Sequence, residues 1–438
     1  MTRVVFIGAG SVVFTRQLVT DLVGYPDLDG LELVLHDIDP DRLAVAEGTA
    51  RQVNDRAGTH LVVRPEADRR RALEGADFVV NMVQVGGIDG TRKDLEIPAR
   101  YGLKQTIGDT TGVGGVFRAL RTFPFLSGLA ADMREVCPEA MLLNYTNPMA
   151  MNIWWLSVAA PELRAIGLCH SVYWTAHGLS ALVGAPFERV RYRAAGVNHQ
   201  AWLLEWTLDG EDLYPRLRER ILGDPELQRR VRVEMLERFG YYPTETSEHS
   251  SEYLSWFLRS PEQIAKYRIE PLQYLGISEG NVQEFEDAKA SLAKGEELEL
   301  EHGEGEYAPK IINAITTGTS VEIHGNLPNR GLIDNLPGDA VVEVPVVVDG
   351  QGLHPQNMGS LPWGPASQNL NYISVGRLAV EAARMGDPLL VRQAVLVDPN
   401  ASSSVTPEQI WAMCNDLVAA HGDLLPEPLR VSLPATWA

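Results

Sequence analysis

Cysteine is scarce. The three present, Cys137, Cys169 and Cys414, are odd in number and far apart, which excludes a disulfide framework and makes a reducing, cytoplasmic compartment the default. Basic charge is short as well, with 38 Lys and Arg against 58 Asp and Glu and a formal net charge of −20. A surface that acidic repels phosphate backbones and anionic lipid heads, so neither nucleic acid nor a membrane is expected as a partner. No apolar run reaches the ~18 residues that span a bilayer, and the longest, Met149 to Ala160, is interrupted by Asn152. A Gly-x-Ser-x-Gly elbow and a Walker A loop are both missing, which leaves serine-hydrolase and phosphate-transfer chemistry without anchors. The opening stretch, Met1 to Phe14, holds one Arg and an apolar run but no small-residue cleavage pattern, and reads as a strand entering a glycine turn.

What is present is ordinary globular material: 438 residues, 45% hydrophobic and 22% charged, enough for two or three domains around a large core at the usual ~150 residues each. Val4 to Gly8 is a β-rich run, followed by Gly8-Ala9-Gly10-Ser11 and a helical pattern from Phe14 to Val23. Leu31 to Ile38, Ala76 to Val83 and Met141 to Tyr145 read as further strands, the last two mainly apolar runs, as strands buried on both faces are. Helical patterns at Arg42 to Ala57 and Val116 to Arg134 lie between them. This alternation predicts an α/β fold with a Rossmann-type parallel sheet over residues 1–190. Past residue 190 the texture changes, and a C-terminal domain over 191–438 is expected to carry substrate binding and catalysis. It has a strand pair at Val190 to Leu208, an aromatic and acidic segment at Phe239 to Phe257 and a Glu-rich helix from Gly280 to Glu306. A Val-rich strand before Gly350 follows, then amphipathic helices at Tyr372 to Met385 and Glu408 to His421.

Gly8-x-Gly10 between strand and helix puts backbone N–H groups and a helix N-terminus where a pyrophosphate can sit, with Ser11 beside them. Asp37, at the end of the second strand, is placed to take a ribose 2′-hydroxyl, which favours NAD over NADP. The third fingerprint position is Val13, not Gly, and a tight turn that binds nothing is the competing reading. Ligands of open parallel sheets gather at the carboxyl ends of strands. Gln84-Val85-Gly86-Gly87, Asn144 to Pro148 and Leu168-Cys169-His170-Ser171-Val172 occupy such ends, and Gly196-Val197-Asn198-His199 sits in the strand pair. A Cys thiolate with a His nitrogen suits a divalent transition metal; a buried thiol and a hydrogen-bonded core imidazole are the plainer alternative. Glu248, His249 and Glu252 lack the His-Glu-x-x-His arrangement and read as capping and surface residues.

Together these segments resemble glycoside hydrolase family four, the NAD- and manganese-dependent glycosidases, from residue 3 to at least residue 350. The resemblance rests on Phe6 to Ser11, on Gln105-Thr106-Ile107-Gly108-Asp109-Thr110-Thr111-Gly112-Val113-Gly114-Gly115 running into Arg118 to Thr122, on Asn147-Pro148, on Cys169 to Val172, on Asn198-His199 and on Asn335-Leu336-Pro337. It implies a lactate-dehydrogenase-like fold, NAD on the glycine turn and Mn²⁺, or another divalent transition metal, on Cys169 and His199. Cys-His-Ser-Val looks like the α-galactosidase branch, with α-galacturonides or glucuronides as alternative substrates. A homodimer or homotetramer is implied.

The implied chemistry departs from the usual pair of carboxylates. NAD⁺ would take hydride from C3 of the sugar, and a metal-polarised ketone would acidify the C2 proton. Elimination, water addition and return of hydride would complete hydrolysis. Tyr253 matches the family's base, with Tyr242 in reserve. His170 stands where phospho-sugar members carry an acidic residue, and either protonates the leaving oxygen or binds a sugar hydroxyl. Asn147 matches the contact to the C2 and C3 hydroxyls. Two rivals stand beside this reading: a 2-hydroxy-acid dehydrogenase, which would release NADH, and an NAD-sensing regulatory protein, which would not need Cys169, His199 and Tyr253 together.

Overall fold

The computed structural model describes residues 1–297 and 305–434. Its strands are β1 (Arg3–Ile7), β2 (Glu32–His36), β3 (Val62–Pro65), β4 (Phe78–Asn81), β5 (Met141–Asn144), β6 (Arg164–Leu168), β7 (Val190–Val197), β8 (Gln200–Leu208), β9 (Glu211–Asp212), β10 (Tyr242–Pro243), β11 (Val321–Pro328), β12 (Val341–Asp349) and β13 (Gly352–Pro355). All belong to one 13-stranded sheet. Its first part is parallel in the order β3-β2-β1-β4-β5-β6, the doubly wound arrangement of dinucleotide-binding folds. From β6 it continues antiparallel through β11, β12, β7, β8 and β10. The chain therefore passes residue 190 without leaving the sheet.

β4 and β5 are apolar up to their last residues, Asn81 and Asn144, because helices cover both faces; Val79, Val80, Leu142 and Leu143 are wholly buried. The helix Pro40–Ala57 starts where Asp39 accepts N–H bonds from Asp41 and Arg42, and stops at Gly58, which takes the left-handed conformation. The strand pair at residue 190 forms as expected, with Asn198 and His199 in its turn and a cis bond between them. The Glu-rich helix spans Gln273–Lys294, starting earlier than its charge pattern suggests and ending at Gly295 in the left-handed conformation. The expected continuation over residues 298–304 lies outside the described residues.

The C-terminal helices return to the first half. Pro407–His421 packs on Gly87–Arg100, and Trp363–Met385 on Gly112–Val136. A buried chain of charge closes this contact: His421 Nε2 is 2.8 Å from Asp94 Oδ1, and Arg121 Nη2 is 2.6 Å from Asp94 Oδ2. Among the described residues no helix is long and apolar enough to cross a membrane.

Candidate active site

The order reversal between β1 and β4 opens a crevice at the carboxyl ends of the parallel strands. On its β1 side the N–H of Gly10 donates to Asp37 Oδ2 at 2.8 Å, and Arg42 Nη1 donates to the Gly10 carbonyl at 3.0 Å. A Cβ on Gly10 would come within 2.5 Å of the Arg42 Cβ and 2.6 Å of Asp37 Oδ2, so only glycine fits. Ser11 is the N-cap of the helix Val12–Val23, and its side chain makes no capping bond, leaving the N-terminal N–H groups for another acceptor. Gly8, Gly10, Ser11 and Asp37 thus form one cradle at a helix N-terminus, which fits a pyrophosphate and its ribose.

At the end of β5, Asn81 donates to Asn144, whose amide donates to the Thr146 carbonyl, and these buried amides hold the turn before Asn147-Pro148, which is cis. The Asn147 amide donates to Asp109 Oδ2 at 2.9 Å. Asp109 lies in the loop Gln105 to Thr111, which rests on the N-terminal turns of the helix Gly112–Val136. A Cβ on Gly115 would stand 2.6 Å from the Thr110 carbonyl carbon, so the glycines there permit the loop's close approach. The Thr110 hydroxyl contacts both Asp109 and His199. This loop links the sugar-contact candidate Asn147 to the metal-ligand candidate His199.

The same loop is clamped from outside. Glu252 Oε1 accepts N–H bonds from Thr106 at 2.7 Å, Ile107 at 3.2 Å and Gly108 at 3.1 Å. Burial pushes the Glu252 carboxyl up to about 7 against the pull of those bonds. The next residue, Tyr253, faces inward, its hydroxyl beside Thr110 but without a hydrogen bond of ordinary geometry and its ring against Tyr372. Burial also raises the Tyr253 phenol well above its usual value. Tyr242 lies elsewhere, in a packing cluster with Trp206 and Tyr214 and with Arg232 over its ring.

Cys169 follows β6, and Cys169, His199 and Glu245 each place one donor atom within 4.8 Å of the others. Asp109, His199 and His249 form a second such set around the same imidazole. Thiolate, imidazole and carboxylate are the donor types that divalent transition metals take. Without a cation, burial and the neighbouring Glu245 push the Cys169 thiol up to about 12. His170 is held by Glu306, whose Oε1 lies 2.8 Å from its Nδ1; burial alone would lower the imidazolium, but Glu306 outweighs it and lifts it to about 10.

The structure therefore brings Asn147, Cys169, His199 and Tyr253 to one crevice, with His170 beside Cys169. Sequence reading passed over Asp109, Thr110, Glu245 and Glu306 as chemical groups, and set aside His249. Asp109 and Thr110 were visible only as letters in a recognisable loop. Glu306 gave no signal, because His170 lies far away in the chain, and Glu245 has only His249 nearby, with Cys169 and His199 distant in sequence.

A family model described as Family 4 glycosyl hydrolase matches residues 3–185, and one for the Family 4 glycosyl hydrolase C-terminal domain matches residues 194–401. An α-galactosidase of Bacillus subtilis is 40% identical over 98% of this chain and 100% of its own. An α-galactosidase of Rhizobium meliloti is 34% identical over 97% of this chain and 89% of its own. A crystal structure of a 6-phospho-α-glucosidase from gut microorganisms in complex with NAD and Mn²⁺ superposes with a TM-score of 0.84 at 20% identity, over 97% of this chain and 99% of that one, and shows a shared fold.

Proposed function

Because the chain belongs to the family 4 glycosyl hydrolases, we propose that this glycosidase hydrolyses α-galactosides with the help of NAD and a divalent manganese ion. The α-galactosidase relatives support the sugar, and the donor set at Cys169 and His199 and the cradle at Gly10 support the two cofactors. The observation that carries the reading is the run of contacts from Asn147 through Asp109 and Thr110 to His199, with the Tyr253 hydroxyl beside Thr110. It supports a reading in which a sugar-binding amide, a metal ligand and a proton acceptor surround one space.

When bound, NAD supplies a hydride acceptor for a sugar C–H, and the metal supplies a Lewis acid for a sugar oxygen and the positive charge that lowers a nearby phenol. Gly8, Gly10 and Ser11 hold the pyrophosphate and Asp37 the ribose. Cys169 and His199 hold the metal. Asn147 orients the C2 and C3 hydroxyls, and Tyr253 takes the proton from C2. His170, kept charged by Glu306, gives a proton or a hydrogen bond to the leaving oxygen. In the same proposal residues 1–190 bind the dinucleotide, residues 191–438 complete the sugar site, and the chain works in the cytoplasm as a homodimer or homotetramer.

The test is hydrolysis of p-nitrophenyl α-galactoside beside the α-galacturonide, each with NAD⁺, Mn²⁺ and a thiol reductant, and each repeated with one component omitted. Cleavage of the galactoside that disappears without NAD⁺ or without Mn²⁺ is expected. Cleavage of the galacturonide alone reassigns the sugar, and NADH release without hydrolysis replaces the reading with a dehydrogenase.

A further inference from the structure

Two of the four groups that share a donor set with His199 are already committed. Asp109 receives the Thr110 hydroxyl and the Asn147 amide, and His249 Nδ1 lies 3.1 Å from Thr246 Oγ1. Glu245 differs. Its carboxylate is largely buried, its side chain only 16% exposed, and the hydrogen bond that its Oε2 accepts, from the Cys169 thiol, is a long one. His249 Nδ1 is 3.8 Å from Oε1, His199 Nε2 is 3.9 Å from Oε2, and the Cys169 thiol is 3.9 Å from that same Oε2. A largely buried carboxylate whose donors stand this far off has room for a shorter bond to a cation. Its Oε2 faces both Cys169 Sγ and His199 Nε2.

We propose that Glu245 is a third protein ligand of the metal, its Oε2 completing a Cys169–His199–Glu245 site. The proposal rests on the reading of Cys169 and His199 as metal ligands and adds to it. Thiolate and carboxylate together carry two negative charges, which balance a dication while the imidazole stays neutral. Thiolate and imidazole alone favour softer ions such as zinc or copper; a carboxylate oxygen shifts the site toward a harder ion such as manganese. Three protein donors still leave positions for sugar oxygens. Glu245 is thus a determinant of which metal the site selects, as well as of how tightly it binds.

The test uses the full-length, reduced protein with NAD⁺ present. Mn²⁺ is titrated and the free ion is read from its electron paramagnetic resonance signal. Glu245→Gln should bind Mn²⁺ at least about tenfold more weakly and Zn²⁺ less impaired, so that the Mn²⁺ to Zn²⁺ affinity ratio falls. Wild-type Mn²⁺ affinity in Glu245→Gln, alongside weakened binding in Cys169→Ser, overturns the role of Glu245 and leaves Cys169 and His199 as the site. Wild-type affinity in Cys169→Ser overturns the underlying reading itself. A measurement independent of any variant's folding uses native sequence labelled with ¹³C-glutamate. Bound Mn²⁺ should show a hyperfine coupling to a carboxylate carbon, and absence of that coupling overturns the proposal.

Discussion

Thr110 Oγ1 stands 2.8 Å from His199 Nδ1 while it gives its only proton to Asp109 Oδ1 at 2.6 Å. A hydroxyl with its proton spent can only accept, so His199 carries its hydrogen on Nδ1 and presents a lone pair on Nε2. That nitrogen faces Glu245 and the metal donor set. Thr110 therefore decides the tautomer that a metal needs.

Thr110→Val removes the acceptor with little change of shape. Mn²⁺ affinity is expected to fall about 10–100-fold, the usual effect of losing such an outer partner, while Thr110→Ser keeps it. Equilibrium dialysis checks both, and equal affinity in Thr110→Val sinks the tautomer argument.

Tyr253→Phe deletes the phenol and nothing else from a buried ring. Hydrolysis should drop by at least about 100-fold, the lower end of what a positioned base contributes, with Mn²⁺ and NAD⁺ affinities unchanged. Galactoside deuterated at C2 should exchange its label with solvent in the native enzyme and retain it in the variant. Undiminished exchange in Tyr253→Phe would move the base elsewhere.

Gly10→Ala places a methyl group where Arg42 and Asp37 already stand. NAD⁺ affinity should be lost or fall by more than about tenfold, since the turn must open to admit the Cβ. Titration by intrinsic Trp fluorescence reads this directly, and unchanged affinity would detach the dinucleotide from this turn.

Glu252 makes stability depend on pH. Its carboxyl is raised from 4.5 to about 7 in the fold, so the folded chain keeps a proton that the unfolded chain has lost. The contribution is full below 4.5, declines as pH rises toward 7 and is gone above it. Its ceiling is about 3 kcal/mol at ~1.4 kcal/mol per pH unit. Glu252→Gln cannot ionise, so the native urea midpoint should fall relative to that of the variant as pH rises from 4.5 to about 7. Parallel curves would show that Glu252 ionises as an exposed acid does.

The parallel half of the sheet was legible because β1, β4 and β5 are apolar but for Arg3 at the start of the first and Asn81 and Asn144 at the ends of the others, and the cradle at Gly10 because glycine between strand and helix has few other uses. The loop Gln105 to Thr111 has no period to read, so its part in joining Asn147 to His199 emerged only from its fold. Glu248, His249 and Glu252 look like one chelating group in sequence, yet each meets a different group on the loop Gln105 to Thr111. His249 turns to Asp109, Glu252 to the N–H groups of Thr106 to Gly108, and the Glu248 carbonyl to the Thr106 hydroxyl. Glu306 reaches His170 across more than a hundred residues, a relationship that no local pattern encodes.

Cys169 and His199 are close in sequence, but in the sheet β11 and β12 lie between the strands that carry them. On the ribosome both residues emerge early, while the strands that hold them at the right separation are not translated until residue 349. The dinucleotide cradle is complete within the first few dozen residues of synthesis; the metal site cannot be. On the proposed reading of Cys169 and His199, a nascent chain is thereby kept from trapping an ion on a half-made site, and metal loading follows the translation of β12.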